Sequence, residues 1–131
     1  MTSPRSIDLA DVLAKRLREA GYADASVRKL DSVKDGGIAV RRMPSTCDAT
    51  YYGGGRSLQY VVQVVVARES DLEAIDQCCA IAEMAPDLDL ASDNGSYALT
   101  SVEVYTEPQE LESAPLSVWE TRLRANITVR R

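Results

Sequence analysis

Histidine is absent from this 131-residue chain, which limits the chemistry open to its other reactive residues. Histidine is the commonest general base, the commonest metal ligand and the usual partner of a serine or cysteine nucleophile. The chain has three cysteines, Cys47, Cys78 and Cys79, and no CxxC pair. Cys78 and Cys79 are adjacent on a predicted helix, so their side chains diverge by about 100°. This pattern favours buried small hydrophobic residues over redox or metal roles.

One acidic segment has a spacing that suggests calcium. Asp87, Asp89 and Asp93 occur in the run PDLDLASDNG. An EF-hand loop needs Asp or Asn at its fifth position and Gly at its sixth, and this chain has Ala91 and Ser92 there. We therefore predict no metal site, no catalytic residue, no cofactor and no enzymatic activity.

A glycine-rich segment suggests a phosphate loop but lacks its context. Three glycines at 53–55 lead into a predicted strand, whereas a phosphate loop needs Gly-Lys-Ser/Thr opening a helix. The segment from Met43 to Arg56 is interpreted as a long exposed loop. Tyr and Arg are the residues that most often anchor protein interfaces, although one tyrosine packing on the sheet is an equal alternative. The predicted protein-interaction residues are Arg41, Arg42, Tyr51, Tyr52 and Arg56.

Composition and charge exclude several classes of protein. Hydrophobic residues make up 45% and charged residues 27%, which is typical of a globular domain. The formal net charge of -5 argues against a nucleic-acid binder, which needs a basic face. No stretch approaches the ~20 apolar residues of a membrane helix, and the N-terminus lacks a signal-peptide core. A cytoplasmic location without membrane contact is the default expectation.

Hydrophobic periodicity predicts two helices and about five strands. Leu9, Val12, Leu13 and Leu17 recur at helical spacing, with Ser6 as the expected N-cap and Gly21 as the stop. The predicted elements are a helix over Ser6–Ala20, strands over Val27–Val33, Ile38–Arg42 and Ser57–Arg68, a helix from Ser70 to Pro86, a strand over Tyr97–Thr106, an acidic loop over Pro108–Pro115 and a strand over Val118–Arg130.

Face assignments follow from the same periodicity. Ser70 and Glu73 form a capping box. The predicted inward residues of the second helix are Leu72, Ile75, Cys79 and Ala82. Those of the next strand are Ala98, Thr100, Val102 and Val104. Those of the last strand are Trp119, Thr121, Leu123, Ala125, Ile127 and Val129. Both faces of Ser57–Arg68 are largely apolar, which indicates a central strand covered on both sides.

These elements predict one α+β domain over residues 1–131. Its expected architecture is a mostly antiparallel (mixed) sheet of about four to five strands with two helices packed on one face. The long strand, the second helix and the following strand are compatible with a right-handed crossover.

The central run RRMPSTCDATYYGGGRSLQYVVQVVVARESDLEAIDQCCAIAEM resembles a known family. It is similar to the tail terminator proteins of long-tailed bacteriophages, also called minor capsid or tail-completion proteins. The family pattern is a strand ending in Pro, an aromatic and Gly-rich turn with a basic residue, a Tyr-x-x-Gln-Val strand ending in Arg, and a capped helix. The matching positions are Pro44, Tyr51, Tyr52, Gly53, Arg56, Tyr60, Gln63, Arg68 and Ser70.

The resemblance implies a structural virion protein and not an enzyme. Tail terminators form a homo-oligomeric ring, usually a hexamer, on the head-proximal end of the tail tube. The ring stops polymerisation of the tail tube protein and offers a surface to the head-tail connector, and DNA only passes through its lumen. The expected location is the virion, with assembly in the host cytoplasm.

Two alternatives remain open at this stage. A head-completion (connector) protein or a tail tube protein would share the same class and composition. A small-molecule-binding α+β domain would need a concave pocket with convergent polar groups, and the absence of histidine argues against an enzymatic version of it.

Overall fold

A computed structural model describes residues 7–27, 36–43, 46–50, 56–113 and 115–129, with the backbone only for 46–50. The elements in chain order are α1 (Leu9–Glu19), β1 (Ala25–Val27), β2 (Gly37–Arg42), β3 (Thr46–Thr50), β4 (Arg56–Arg68), α2 (Asp71–Met84), a 3-10 turn (Ala85–Asp87), β5 (Ala98–Glu112) and β6 (Ser117–Val129). The predicted α+β class is confirmed.

The described strands form one six-stranded sheet around the long central strand β4. The strand order is β1-β2-β4-β6-β5, and β3 pairs with β4 beyond the end of β2. All pairs are antiparallel except β1 with β2. β4 and β5 therefore run parallel with β6 between them, so the predicted crossover is split by an inserted strand.

Both helices pack on one face of the sheet, which we call the core face. One cluster joins α1 and α2 to every second residue of β4, including Tyr60, Val62, Val64 and Val66. Leu13 and Leu17 of α1 are 1% and 0% exposed, as the helical spacing predicts. A smaller cluster of Ala39, Val65, Ala67 and Val118 lies on the opposite face at one end of the sheet. The prediction that β4 is central and apolar on both sides is therefore confirmed for this end.

The first helix begins two residues later than predicted. Asp8 is its N-cap residue, and Ser6 lies outside the described residues. The helix ends at Glu19, and Gly21 follows with a φ of 111°. Only glycine adopts this left-handed conformation without strain, which is why the helix stops here.

The loop predicted over Met43–Arg56 contains a strand. β3 pairs antiparallel with the start of β4, with a register shift between Cys47 and Ala49. Pro44 and three glycines obscured this strand, because the flanking residues are typical of turns. The predicted strand Val27–Val33 is described only to Val27, where β1 ends.

The loop predicted over Pro108–Pro115 is also wrong, since β5 continues to Glu112. Pro108 is accommodated because β5 lies at the edge of the sheet and the register shifts between Thr106 and Gln109. A second shift between Leu99 and Ser101 changes which side chains face inward. Ala98 and Thr100 are exposed, while Leu99, Val102 and Val104 pack against the core.

The predicted inward face of α2 is rotated in the structure. Leu72 is 68% exposed and Cys79 is exposed, whereas Ala74, Cys78, Ile81 and Ala82 are buried. Most of the buried residues are small, which lets the helix lie close to the sheet. Among the described residues no helix is both long and apolar enough to cross a membrane.

Candidate functional site

The three predicted interaction residues that the structure describes do not form one cluster. Arg41 and Arg42 end β2, and Arg42 pairs with Val62 of β4. Arg56 begins β4, six residues from Val62, which corresponds to about 20 Å along an extended strand. Tyr51 and Tyr52 lie outside the described residues. The interaction role of all five residues remains a prediction.

Arg41 and Arg42 point to opposite faces of the sheet, because successive side chains on a strand alternate. Arg42 is exposed and shares the core face with Tyr60, whose side chain is 6% exposed. Burial raises the pKa of the Tyr60 phenol above its ordinary value, and the positive charge of the nearby Arg42 opposes that rise. Arg41 lies on the other face, in one row with Gln63 and Arg122.

The second face of the sheet carries a ladder of polar side chains, and we call it the open face. No helix among the described residues packs on it. Its rows are set by strand register, which places Gln59 beside Asn126, Val61 beside Arg124 and Val65 beside Glu120. Side chains from β2, β4, β6 and β5 meet on the open face. Its exposure is uneven, because Val65 and Glu120 are buried whereas Glu103 on β5 is exposed.

A buried carboxylate lies at the centre of this face. Glu120 is 1% exposed, although the alternation of β6 predicted a solvated position. One carboxylate oxygen accepts hydrogen bonds from Gln63 Nε2 at 2.7 Å and Arg122 Nε at 2.8 Å, and the other accepts one from Gln109 Nε2 at 2.7 Å. Burial opposes ionisation, but the hydrogen bonds from Arg122, Gln63 and Gln109 outweigh it and lower the pKa of Glu120. Pairing with Arg122 and the hydrogen bonds from the two amides thus offset the free-energy cost of burying this carboxylate.

A second polar cluster joins β6 to β5 on the same face. Arg124 donates from Nε to Glu103 Oε1 at 3.0 Å and from a terminal nitrogen to Gln59 at 3.5 Å. Its guanidinium lies 5.2 Å from the centre of the Tyr105 ring, at cation–π distance. Asn126 donates to Ser101 at 2.9 Å. These contacts order the open face up to the edge strand.

Sequence reasoning missed the residues of the Glu120 cluster. The available signal was Gln63, the one polar residue inside the apolar run of β4. A buried amide in a strand needs a polar partner, which points to a polar residue on a neighbouring strand. The identity of that partner depended on register, which local sequence does not reveal.

Two matched residues of the family pattern, Arg68 and Ser70, make structural contacts. Arg68 makes a two-point contact with Asp24, at 2.6 and 3.2 Å, and donates to Gln77 of α2 at 2.8 Å. The Ser70 side chain accepts a hydrogen bond from the Glu73 backbone at 3.3 Å, so the predicted cap of α2 is confirmed. These two residues hold the end of β4, the start of α2 and the turn before β1 together.

The acidic segment that suggested calcium is bound to α1. Asp8 accepts hydrogen bonds from the Ser92 hydroxyl at 2.7 Å and from the backbone of Asp93 and Asn94 at 3.0 and 3.2 Å. Burial opposes ionisation of Asp8, but these bonds and one from Ser96 outweigh it and lower its pKa. Lys15 pairs with Asp93 at 3.4 Å, and Arg16 donates to the Asp89 carbonyl at 2.8 Å. The segment is thereby fixed by hydrogen bonds and ion pairs within the chain.

The two cysteines of α2 differ in environment. Cys78 is buried, and that burial raises the pKa of its thiol to about 12. Cys79 is exposed, so the prediction that it points inward is wrong. The side chain of Cys47 lies outside the described residues.

No protein-family model matches this chain, and no curated protein matches it. Among solved structures, one similar chain belongs to a structure described as the virion of a native gene transfer agent particle. The two chains are 19% identical, the match covers 89% of this chain and 84% of the other, and the TM-score is 0.49.

Proposed function

We propose that this chain is a structural virion protein that caps the head-proximal end of a phage tail tube. In this role it forms a homo-oligomeric ring, stops polymerisation of the tube protein and offers a surface to the head-tail connector. It works by assembly, with no catalytic residue and no cofactor. The basis is the family resemblance together with the geometry of the sheet.

The observation that carries the proposal is the open face. Because both helices occupy one side of the sheet, the other side carries an ordered network of polar side chains from β4, β6 and β5, which is buried around Glu120 and exposed along β5. Small-molecule sites are usually concave and largely apolar. Polar side chains that are fixed by cross-strand hydrogen bonds and exposed along β5 suit contact with another protein, or the lining of a ring lumen.

The segment that carries the resemblance forms one connected unit in the fold. β2 ends before Pro44, β4 runs to Arg68, and Ser70 caps α2. Tyr60 and Gln63 of the Tyr-x-x-Gln pattern lie on opposite faces of β4, one in the core and one beside Glu120. The pattern thus specifies both layers of the fold around the central strand.

The test is reconstitution with the tail tube protein of the same virion. Adding the purified chain during tube growth should yield shorter tubes with extra density at one end in electron micrographs. Unchanged tube length and bare ends would contradict the proposal. If the purified chain forms open stacks by itself, it is a tube subunit instead. A metabolite panel that raises the melting temperature would point to the small-molecule alternative.

A further inference from the structure

Charge is divided unequally along this chain. Residues 69–121 contain 13 of the 20 acidic residues and no Lys or Arg. All 15 Lys and Arg residues lie outside that segment, together with the remaining seven acidic residues. The segment comprises α2, β5 and the first part of β6, so α2 and β5 carry acidic residues and no basic ones.

The sheet places the two signs at opposite edges. β5 is one edge of the described sheet and carries Glu103, Glu107, Glu110 and Glu112. β2 lies near the other edge, and in the described part of the chain its last two residues, Arg41 and Arg42, extend past the three residues that pair with β1. Two strands separate β2 from β5, a distance of about 14 Å. Arg41 and Arg42 are therefore too far from β5 to pair with its carboxylates within one chain.

The charged side chains at these edges are at least partly exposed. Glu107, Glu110, Glu112 and Arg42 are exposed, and Arg41 is partly exposed. Among the described residues, none of these five forms an ion pair. Glu103 is different, because Arg124 already pairs with it.

Strand register places Arg41 and Arg42 of β2 level with residues 103–107 of β5. The row of Arg41 continues through Gln63 and Arg122 to Thr106, the residue before Glu107. The row of Arg42 continues to Val104, the residue after Glu103. β2 and β5 run antiparallel to each other, since three antiparallel steps separate them. A second copy placed beside β5 in the same sheet direction would bring its arginines level with residues 103–107.

Exposed apolar side chains occur at both edges. Tyr105 and Leu111 on β5 are 53% and 38% exposed, and Val27 on β1 is 45% exposed. Large apolar and aromatic residues surrounded by charges are typical of interface centres. The register shifts in β5 make continuous strand addition unfavourable, so the contact would be made mainly by side chains.

We propose that β5 of one copy docks against the Arg41–Arg42 end of β2 in a second copy. The contact uses two different patches of each chain, so it is heterologous and repeats from copy to copy until a ring closes. The proposal deepens the ring-forming role given above, and it rests on that role for closure. Its chemistry is ion pairing of Arg41 and Arg42 with Glu107, the unpaired carboxylate closest to their level, beside Tyr105. Glu110 and Leu111 lie about 10 Å or more further along β5 and add negative charge and apolar surface to the same contact.

The test is charge reversal followed by complementation. R41E/R42E makes both edges acidic, and E107R/E110R makes both edges basic. In sedimentation velocity at about 50 mM salt, each variant alone should associate at least ~10-fold more weakly than the wild type. Mixing the two variants should restore association, because acidic and basic copies can alternate around the contact.

Three controls make the result specific. R41K/R42K keeps the charge and should associate like the wild type, and D76K/E83K reverses two exposed carboxylates on α2 and should also associate normally. Circular dichroism checks that each variant folds. If a reversal variant does not fold, the neutral pair R41Q/R42Q and E107Q/E110Q replaces it, with each again expected to weaken association.

Any of three outcomes in sedimentation would overturn the contact: a wild-type chain that stays monomeric at all concentrations in low salt, reversal variants that associate normally, or reversal variants that fail to complement. The tube assay separates this result from the function. If the mixture of the two reversal variants associates but leaves tube growth unchanged, the contact is supported and the capping role is refuted. If R41E/R42E alone still caps the tube, the capping role is supported and the contact between β5 and β2 is refuted.

Discussion

The Gln63 amide donates a 2.7 Å hydrogen bond to the Glu120 carboxylate, and this bond links β4 to β6 across 57 residues of sequence. Arg122 and Gln109 complete the shell of Glu120. A buried carboxylate with three donors fixes how three strands align, because a slip by one residue would leave the charge unpaired. The cluster therefore supports the register of the open face.

Replacing Glu120 tests that role. We expect Glu120→Ala to lower the free energy of unfolding by about 2–4 kcal/mol, because it leaves two amides and a guanidinium without their acceptor. Arg122 is about a third exposed and can turn to water, which keeps the loss below the upper limit for a buried pair. Urea unfolding measures it. The matched control is Glu112→Ala on exposed β5, expected within about 0.5 kcal/mol of the wild type. Equal effects of the two changes would show that the cluster contributes nothing.

Asp8 predicts a dependence of stability on pH. Its pKa is lowered in the folded state, so its contribution is complete above the ordinary value of 3.8 and is lost as the pH falls through the lower, folded value. Asp8→Asn should cost about 1–3 kcal/mol at pH 7, because the charged acceptor of the 92–96 segment is lost. The difference from the wild type should shrink toward pH 2. Asp11→Asn, an exposed change on the same helix, serves as the control, and a difference that grows on acidification would refute the assignment.

Thiol labelling distinguishes the two adjacent cysteines. In a Cys47→Ser background, iodoacetamide at pH 8 should modify Cys79, which is exposed. Cys78 should stay unmodified until the protein unfolds, since burial raises the pKa of its thiol to about 12 and blocks access. Cleavage after Glu73 and Glu83 releases a short peptide with both cysteines, and its fragmentation by tandem mass spectrometry gives the site of each adduct. Rapid modification of Cys78 in the folded protein would show that α2 is rotated relative to this structure.

Trp119 tests how the start of α2 is attached to β6. The sequence alone suggested a fully buried ring, but Trp119 is only partly buried, and its Nε1 donates to Asp71 Oδ1 at 3.1 Å. Trp119→Ala should therefore cost about 2 kcal/mol, less than the ~3–5 kcal/mol of a fully buried aromatic. Trp119→Phe keeps most of the apolar contact and should cost less. Hydrogen bonds from Ser117 and Trp119 lower the pKa of Asp71. The variant Trp119→Phe lacks one of these donors, so the pKa of Asp71 should rise, and NMR titration measures that rise.

Several features of this fold follow from local sequence. The α1 stripe, the long strand β4, the Ser70 cap and the stop at Gly21 each depend on neighbouring residues, through helical spacing, the density of Val and Tyr, and the conformational freedom of glycine. The polar alternation of β6 likewise predicted one apolar face, with Leu123, Ala125 and Ile127 buried. These assignments needed no knowledge of distant contacts.

Tertiary structure decided the rest. α2 has apolar residues around most of its surface, so only close packing on the sheet selected Ala74 and Cys78 over Leu72 and Cys79 as its buried face. The strand β3 and the extension of β5 past Pro108 form because partner strands supply hydrogen bonds that local propensity does not predict. The burial of Glu120 required Gln63, Gln109 and Arg122 to come together from three strands. Local sequence specifies periodicity, whereas register and face depend on partners that only the folded chain brings into contact.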